Sequence, residues 1–268
     1  MMNLTATSYP FYSYVPSRIS ASIFAIIVFI SLISWFVQSL HVKCRPRSIF
    51  AFVLVSHLTT FIELILRAAL DVNRLNTTTL YKVTAPLISV PPRLLLFANY
   101  HCLVELRGKK PYRIFDRVID IVVPIGGITV DILLAIANEL SFKSNHLYRS
   151  FYLRQASAGF LLCLTILFYV VWYFSVSHAR RQYVLPLLSV SSICVLIEAI
   201  YILGMSIPSV FFQLTQSELW FYAGHLIPIV LALISWSIFH PSRLLPPPET
   251  AVPHNEAGEE LLPPPQTI

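Results

Sequence analysis

The sequence predicts an all-α integral membrane bundle of seven transmembrane helices, with the N-terminus outside the cytoplasm and the C-terminus inside. Three observations predict it. Charged residues make up 12% of the 268 positions and hydrophobic ones 56%, at a mean hydropathy of +0.70, where soluble domains carry roughly 25% charge. Most of the length falls into seven apolar stretches of about 20 residues, which is what a helix needs to cross a hydrocarbon core ~30 Å thick. Lysine and arginine are also divided unequally between the loops on the two sides.

Residues 1–18 form a short external N-terminus. Met1 to Ser17 has no basic residue and no small-residue cleavage site, and the apolar run after Arg18 exceeds the roughly 7 to 15 residues of a signal-peptide core. The first helix is therefore expected to remain as an anchor. The predicted spans are Ile19 to Val42, Ile49 to Leu70, Val83 to Leu106, Val118 to Glu139, Ala156 to Val176, Val184 to Gly204 and Leu219 to His240, giving a membrane domain over 19–240. Residues 241–268 are rich in proline and glutamate. Such a composition cannot build a core, so a disordered cytoplasmic tail is expected.

Orientation follows from the retention of basic loops on the cytoplasmic side. Eleven basic residues, from Lys43, Arg45 and Arg47 through the Arg107 to Arg117 loop to Arg180, Arg181 and Arg243, lie on one face. Six lie on the other: Arg18, Arg74, Lys82, Lys143, Arg149 and Arg154. The glycosylation sequons at Asn3 and Asn76 both fall on the second, external face, as lumenal modification requires. Trp220 and Tyr222 at one end, and Trp172 and Tyr173 at the other, suit interfacial aromatic belts.

Composition also excludes several classes. Seven spans leave no room for a soluble catalytic domain, and the basic residues sit in short loops rather than on a nucleic-acid-binding face, so neither an enzyme nor a nucleic-acid partner is expected. No cofactor or metal is expected either. The last span has no lysine for a retinal Schiff base, no histidine pair occupies one helical turn as a zinc site needs, and no Gly-rich phosphate loop is present. Cys44, Cys102, Cys163 and Cys194 all avoid the external loops, which rules out an external disulfide and the bridge usual in G-protein-coupled receptors.

Ionisable residues inside spans cost a few kcal/mol each on insertion scales and call for a partner or a function. Glu63 and Arg67 stand four apart on one helical face and can pair. Glu63, Arg67, Asp131, Glu198 and His225 fall in the outer half of the membrane and Arg93 near the middle, so they are candidates to line one external cavity. The alternative is a structural network of interhelical pairs such as Arg93 with Asp131. His57 and His101 are expected to hydrogen bond between helices. Pro86, Pro91, Pro92, Pro124, Pro186 and Pro228 either kink their spans or are merely tolerated there, and Gly126 and Gly127 permit close helix packing.

The lead-in to the last span, Glu218-Leu219-Trp220-Phe221-Tyr222, and the His240-Pro241 pair at its end resemble the closing signature of the fungal seven-helix lipid-translocating exporters, a family named for aminocholesterol resistance. Asp131 with Asn138 seven residues later, Glu198, Ala85-Pro86 and Asn99-Tyr100 are similar to further family positions. The family usually has Gln where Asn138 stands. It also has arginines ahead of the sixth-helix acid, where this chain has residues such as Ser191 and Val195, and a longer glutamate-to-arginine spacing in the second helix.

The resemblance implies movement, export or sensing of amphipathic lipids such as sphingoid long-chain bases, and resistance to sterol-like compounds, at the plasma membrane. On that reading the partners are membrane lipids and an amphipathic small molecule. Glu63, Asp131 and Glu198 would face a cationic headgroup, with Arg67, Arg93, Asn138 and His225 completing the site. The rival expectation is a receptor-like sensor that signals through the Arg107 to Arg117 loop.

Overall fold

The computed structural model describes residues 10–11, 14–44, 46–107, 118–176 and 185–241. Asn3, Arg45, Arg180, Arg181, residues 108–117 of the basic loop and the tail beyond Pro241 lie outside them. Among the described residues, seven helices are long and apolar enough to cross a membrane. They are Arg18–His41, Arg47–Ala69, Thr78–Arg107, Val123–Leu140, Leu147–Val176, Leu185–Met205 and, as one continuous rod, Glu218–Ile238.

Each helix packs chiefly on its neighbours in the chain, and the bundle closes where the seventh span meets the first. The third span also packs on the fifth and sixth. In the third and seventh spans 61% of the apolar window is buried, against 28% in the first and fourth, so the former are central and the latter peripheral. Outward faces are themselves apolar: Ile125, Ile128, Ile132 and Ile136 recur at helical spacing on the fourth span and are all exposed. Exposure of such a stripe to water would be costly, and in hydrocarbon it is the favourable arrangement.

Both ends of the first span are fastened to the seventh. The Ser17 hydroxyl caps the first span by accepting from the Ser20 amide at 3.3 Å, and the Ser17 amide donates to Glu218 Oε1 at 2.8 Å. Tyr222 donates its hydroxyl to the same carboxylate oxygen at 2.8 Å. At the opposite end His240 Nε2 lies 2.9 Å from the Ser39 hydroxyl, and its ring packs on Trp35 with centroids 4.5 Å apart. The four residues that carry the family resemblance thus mark the two ends of the seventh helix, and three of them bind the first helix or its cap. These two ends are called below the Ser17 face and the His240 face.

The prolines do not break the helices. The third span runs unbroken through Pro86, Pro91 and Pro92. Pro124 and Pro228 each stand in the first turn of an α-helical segment that follows a π-helical turn, Val118–Val122 and Tyr222–Leu226. A wider turn before the proline accommodates the ring and the lost donor without ending the helix. Two glycines are fixed by close approach: a Cβ on Gly127 would lie 2.3 Å from the Phe97 ring of the third span, and one on Gly224 would lie 2.2 Å from the Tyr201 ring of the sixth.

The helices also exceed the apolar stretches from which they are predicted. The third begins at Thr78 rather than Val83 and the fifth at Leu147 rather than Ala156. Lys82, Arg149 and Arg154, expected in loops, are therefore helical. These added turns are polar, and side-chain partners on neighbouring helices hold them, which a hydropathy window does not register.

Candidate functional site: a buried carboxylate cluster and a separate cavity

Four of the predicted site residues converge where the second, sixth and seventh spans meet. Glu63 and Arg67, one turn apart, form an ion pair with Arg67 Nε 2.7 Å from Glu63 Oε1. His225 Nδ1 stands 2.5 Å from Glu198 Oε1, and its Nε2 lies 3.6 Å from Glu63 Oε2, beyond hydrogen-bonding reach. The π-helical turn Tyr222–Leu226 carries His225. Glu63 and His225 are each 1% exposed and Glu198 is fully buried. With Arg67 cationic, a single proton held between Glu198 and His225 makes the four groups neutral overall, which is the condition for keeping them in a low-dielectric interior.

Towards the Ser17 face, Arg67 donates to the Tyr14 hydroxyl at 3.4 Å, and its guanidinium lies 3.8 Å from the Phe221 ring centroid. Burial holds the Tyr14 phenol above its ordinary pKa, against the lowering pull of the Arg67 charge. Deeper, towards the His240 face, a second polar layer joins the first, second and seventh spans. His57 Nε2 is 3.0 Å from the Ser31 hydroxyl, which is 2.8 Å from that of Ser237. This is the interhelical role expected of His57; His101 is half-buried, with its ring on Phe52 of the second span, centroids 5.4 Å apart.

Arg93 and Asp131 lie elsewhere. They form an ion pair between the third and fourth spans, with the Arg93 side chain 6% and the Asp131 side chain 61% exposed. Arg93 Nε donates back along its own helix to the Ser89 carbonyl at 2.6 Å. Asp131 thus stands on the outer surface of the bundle and not beside Glu63 and Glu198. The expected single constellation is divided in two.

Arg93 lines a cavity of about 120 Å³ between the third, fourth, fifth and sixth spans. A single water needs roughly 10–15 Å³ on this measure, so the cavity admits much more than solvent. Its walls are apolar over most of their extent, through Ile88, Val130, Leu134, Leu161, Ile202 and Met205. Arg93, Asn138 and Arg154 contribute polar groups, as do Tyr81, Thr84, Tyr201 and three serines. Arg154 Nη2 lies 2.7 Å from both Asn138 Oδ1 and the Tyr81 hydroxyl, and 3.1 Å from the Ser141 hydroxyl. Asn138 is buried at 8% exposure.

None of Glu63, Glu198 and His225 is on this wall. The cluster and the cavity nonetheless share the sixth span: Tyr201 and Ile202, one turn beyond Glu198, wall the cavity, and Tyr201 abuts Gly224, the residue before His225. Arg154 is the functional candidate that hydropathy missed. A polar turn continuing the fifth helix outward, with an arginine there and an amide at the end of the preceding span, was the signal available.

Asn76 follows the short helix Val72–Leu75 and is half-buried in a small recess with Phe11, Tyr14 and Arg67. All four cysteines are free thiols, with Cys102 and Cys194 buried. No protein-family model, curated protein or solved structure matches this chain.

Proposed function

We propose that this multi-pass membrane protein binds amphipathic lipids or sterol-like compounds and moves or exports them across its membrane. The observation that carries the reading is the cavity among the third to sixth spans, whose walls are mostly apolar and which carries a polar seat of Arg154, Asn138 and Tyr81 at one end. Sites for small amphiphiles combine these features. From Tyr81 to Arg93 the wall follows the third span for about 18 Å, a little over half of a ~30 Å hydrocarbon core. A ligand seated there has its chain at membrane depth and its polar end near one surface. The resemblance of Glu218, Tyr222, His240 and Pro241 to the lipid-translocating exporters supports the same class of cargo, and the basic-loop asymmetry orients the Ser17 face outward.

The buried carboxylates are assigned a structural part. Glu63 and Glu198 spend their charge on Arg67 and His225 and do not reach the cavity wall. The decisive experiment is reconstitution. Purified protein in vesicles is expected to accelerate exchange of a fluorescent single-chain lipid between leaflets, read by a membrane-impermeant quencher. Exchange no faster than in protein-free vesicles would refute translocation.

A further inference from the structure

Tyr81 and Thr84 wall two spaces at once: the cavity among the third to sixth spans, and the small recess on the Ser17 face that also holds Phe11, Tyr14 and Asn76. From this we infer that amphiphiles enter and leave the cavity through the recess, from the Ser17 face, with Tyr81 as the gate and Phe11 as its latch. The inference rests on the reading of the cavity as an amphiphile site and adds the route to it.

Three rings from three parts of the chain close the boundary. Phe11 precedes the first span, Tyr81 lies in the third, and Phe142 follows the fourth. Phe11 meets Tyr81 edge-on with centroids 5.9 Å apart, Tyr81 meets Phe142 edge-on at 5.6 Å, and Phe11 and Phe142 complete the triangle at 6.2 Å. The recess outside Tyr81 measures about 30 Å³, room for roughly two or three waters, so an amphiphile passes only when the rings part.

The Tyr81 side chain is placed to swing without dismantling what lies behind it. Its hydroxyl accepts from Arg154 Nη2 at 2.7 Å, but the same Nη2 also reaches Asn138 Oδ1 at 2.7 Å and the Ser141 hydroxyl at 3.1 Å, so the polar seat keeps two supports while Tyr81 is turned away. The latch is likewise separable from its anchorage. The chain ahead of the first span is fastened at Ser17, whose amide donates to Glu218, and at Tyr14, whose hydroxyl accepts from Arg67. Phe11 lies beyond both fastenings and touches the gate rather than the cavity, whose wall does not include it. Ring contacts of this kind hold a lid shut while leaving the equilibrium affinity of the site behind it untouched.

The test uses the full chain in lipid nanodiscs and a fluorescent monoacylglycerol. Phe11→Ala should raise both the association and the dissociation rate roughly three- to tenfold, the worth of an aromatic pair, with the Kd nearly unchanged. Phe142→Ala should act in the same direction. A second readout needs no ligand: Thr84→Cys, half-buried on the wall of both spaces, is labelled by a membrane-impermeant maleimide, with the protein's own cysteines as background. Adding Phe11→Ala should speed that labelling by a similar factor, and bound monoacylglycerol should slow it.

Unchanged exchange and labelling rates in both ring variants would overturn the inference and leave the amphiphile site standing, with its entrance elsewhere. A weakened Kd carried by dissociation alone would overturn it too, by making Phe11 a contact of the bound molecule. Failure of the parent to bind the probe would remove the amphiphile site itself, and this route with it.

Discussion

Replacing Arg67 with methionine should destabilise the bundle more than any other single neutralisation in the second span. Arg67 answers the Glu63 carboxylate from 2.7 Å, and Glu63 is 1% exposed, so its removal strands a charge whose remaining neighbour is His225 at 3.6 Å. Breaking a buried pair in this way costs about 3–5 kcal/mol. The loss of the guanidinium from the Phe221 ring, 3.8 Å away, adds up to about 2 kcal/mol, not fully additive. A fall in melting temperature on the order of 10 °C follows.

Cys102 and Cys194 are buried free thiols, so a thiol-reactive dye that fluoresces on labelling reports unfolding in detergent as they become accessible. The double variant Glu63→Gln, Arg67→Met should recover most of the loss, since it removes both charges together. An Arg67→Met protein as stable as the parent, or a double variant no better than the single one, would refute the assignment of this cluster as a compensated structural core.

Gly224→Ala places a Cβ 2.2 Å from the Tyr201 ring, which also walls the cavity, so about 1–3 kcal/mol of stability and much of the probe binding in nanodiscs should be lost together. Gly126→Ala meets only the flexible end of Leu164 at 3.0 Å and is expected to be milder on both readouts. Glu218→Ala removes the acceptor shared by the Ser17 amide and the Tyr222 hydroxyl and should lower stability by about 1–3 kcal/mol in the same dye assay.

The Tyr14 phenol, held above its usual value by burial, resists ionisation only while folded. Its contribution is present below a pH of about 10, where the unfolded chain's tyrosine is still protonated, and is lost as pH rises beyond that; Tyr14→Phe should flatten this alkaline decline in melting temperature.

The sequence makes the membrane architecture legible because span length and hydropathy are properties of single segments. Each of the seven predicted spans coincides over most of its length with an observed helix. What a segment cannot report is which of its faces meets which neighbour. Glu63 with Arg67 was readable, being one turn apart on one helix; the approach of His225 to Glu198 depends on the packing of the seventh span against the sixth. The extension of the fifth helix to Leu147 escaped for a related reason, since Arg149 and Arg154 lower the hydropathy of turns that are held by contacts with other helices, Arg154 to Asn138 and Tyr81 and the Ser150 hydroxyl to the Ala137 carbonyl.

The division of the polar residues into two groups has a physical rationale. A charge required for packing must be neutralised permanently, and the Glu63, Arg67, Glu198 and His225 cluster achieves this with no exposure above 7%. A cavity that takes a ligand needs polar groups held in place on its wall, and Arg154 is held there by Nη2 contacts to oxygens of Asn138, Tyr81 and Ser141. The sixth span is where the two requirements meet, with Glu198 on the cluster and Tyr201 on the cavity one turn later. Rotating that helix by a fraction of a turn would disturb both, so the stability of the cluster is what fixes the shape of the cavity.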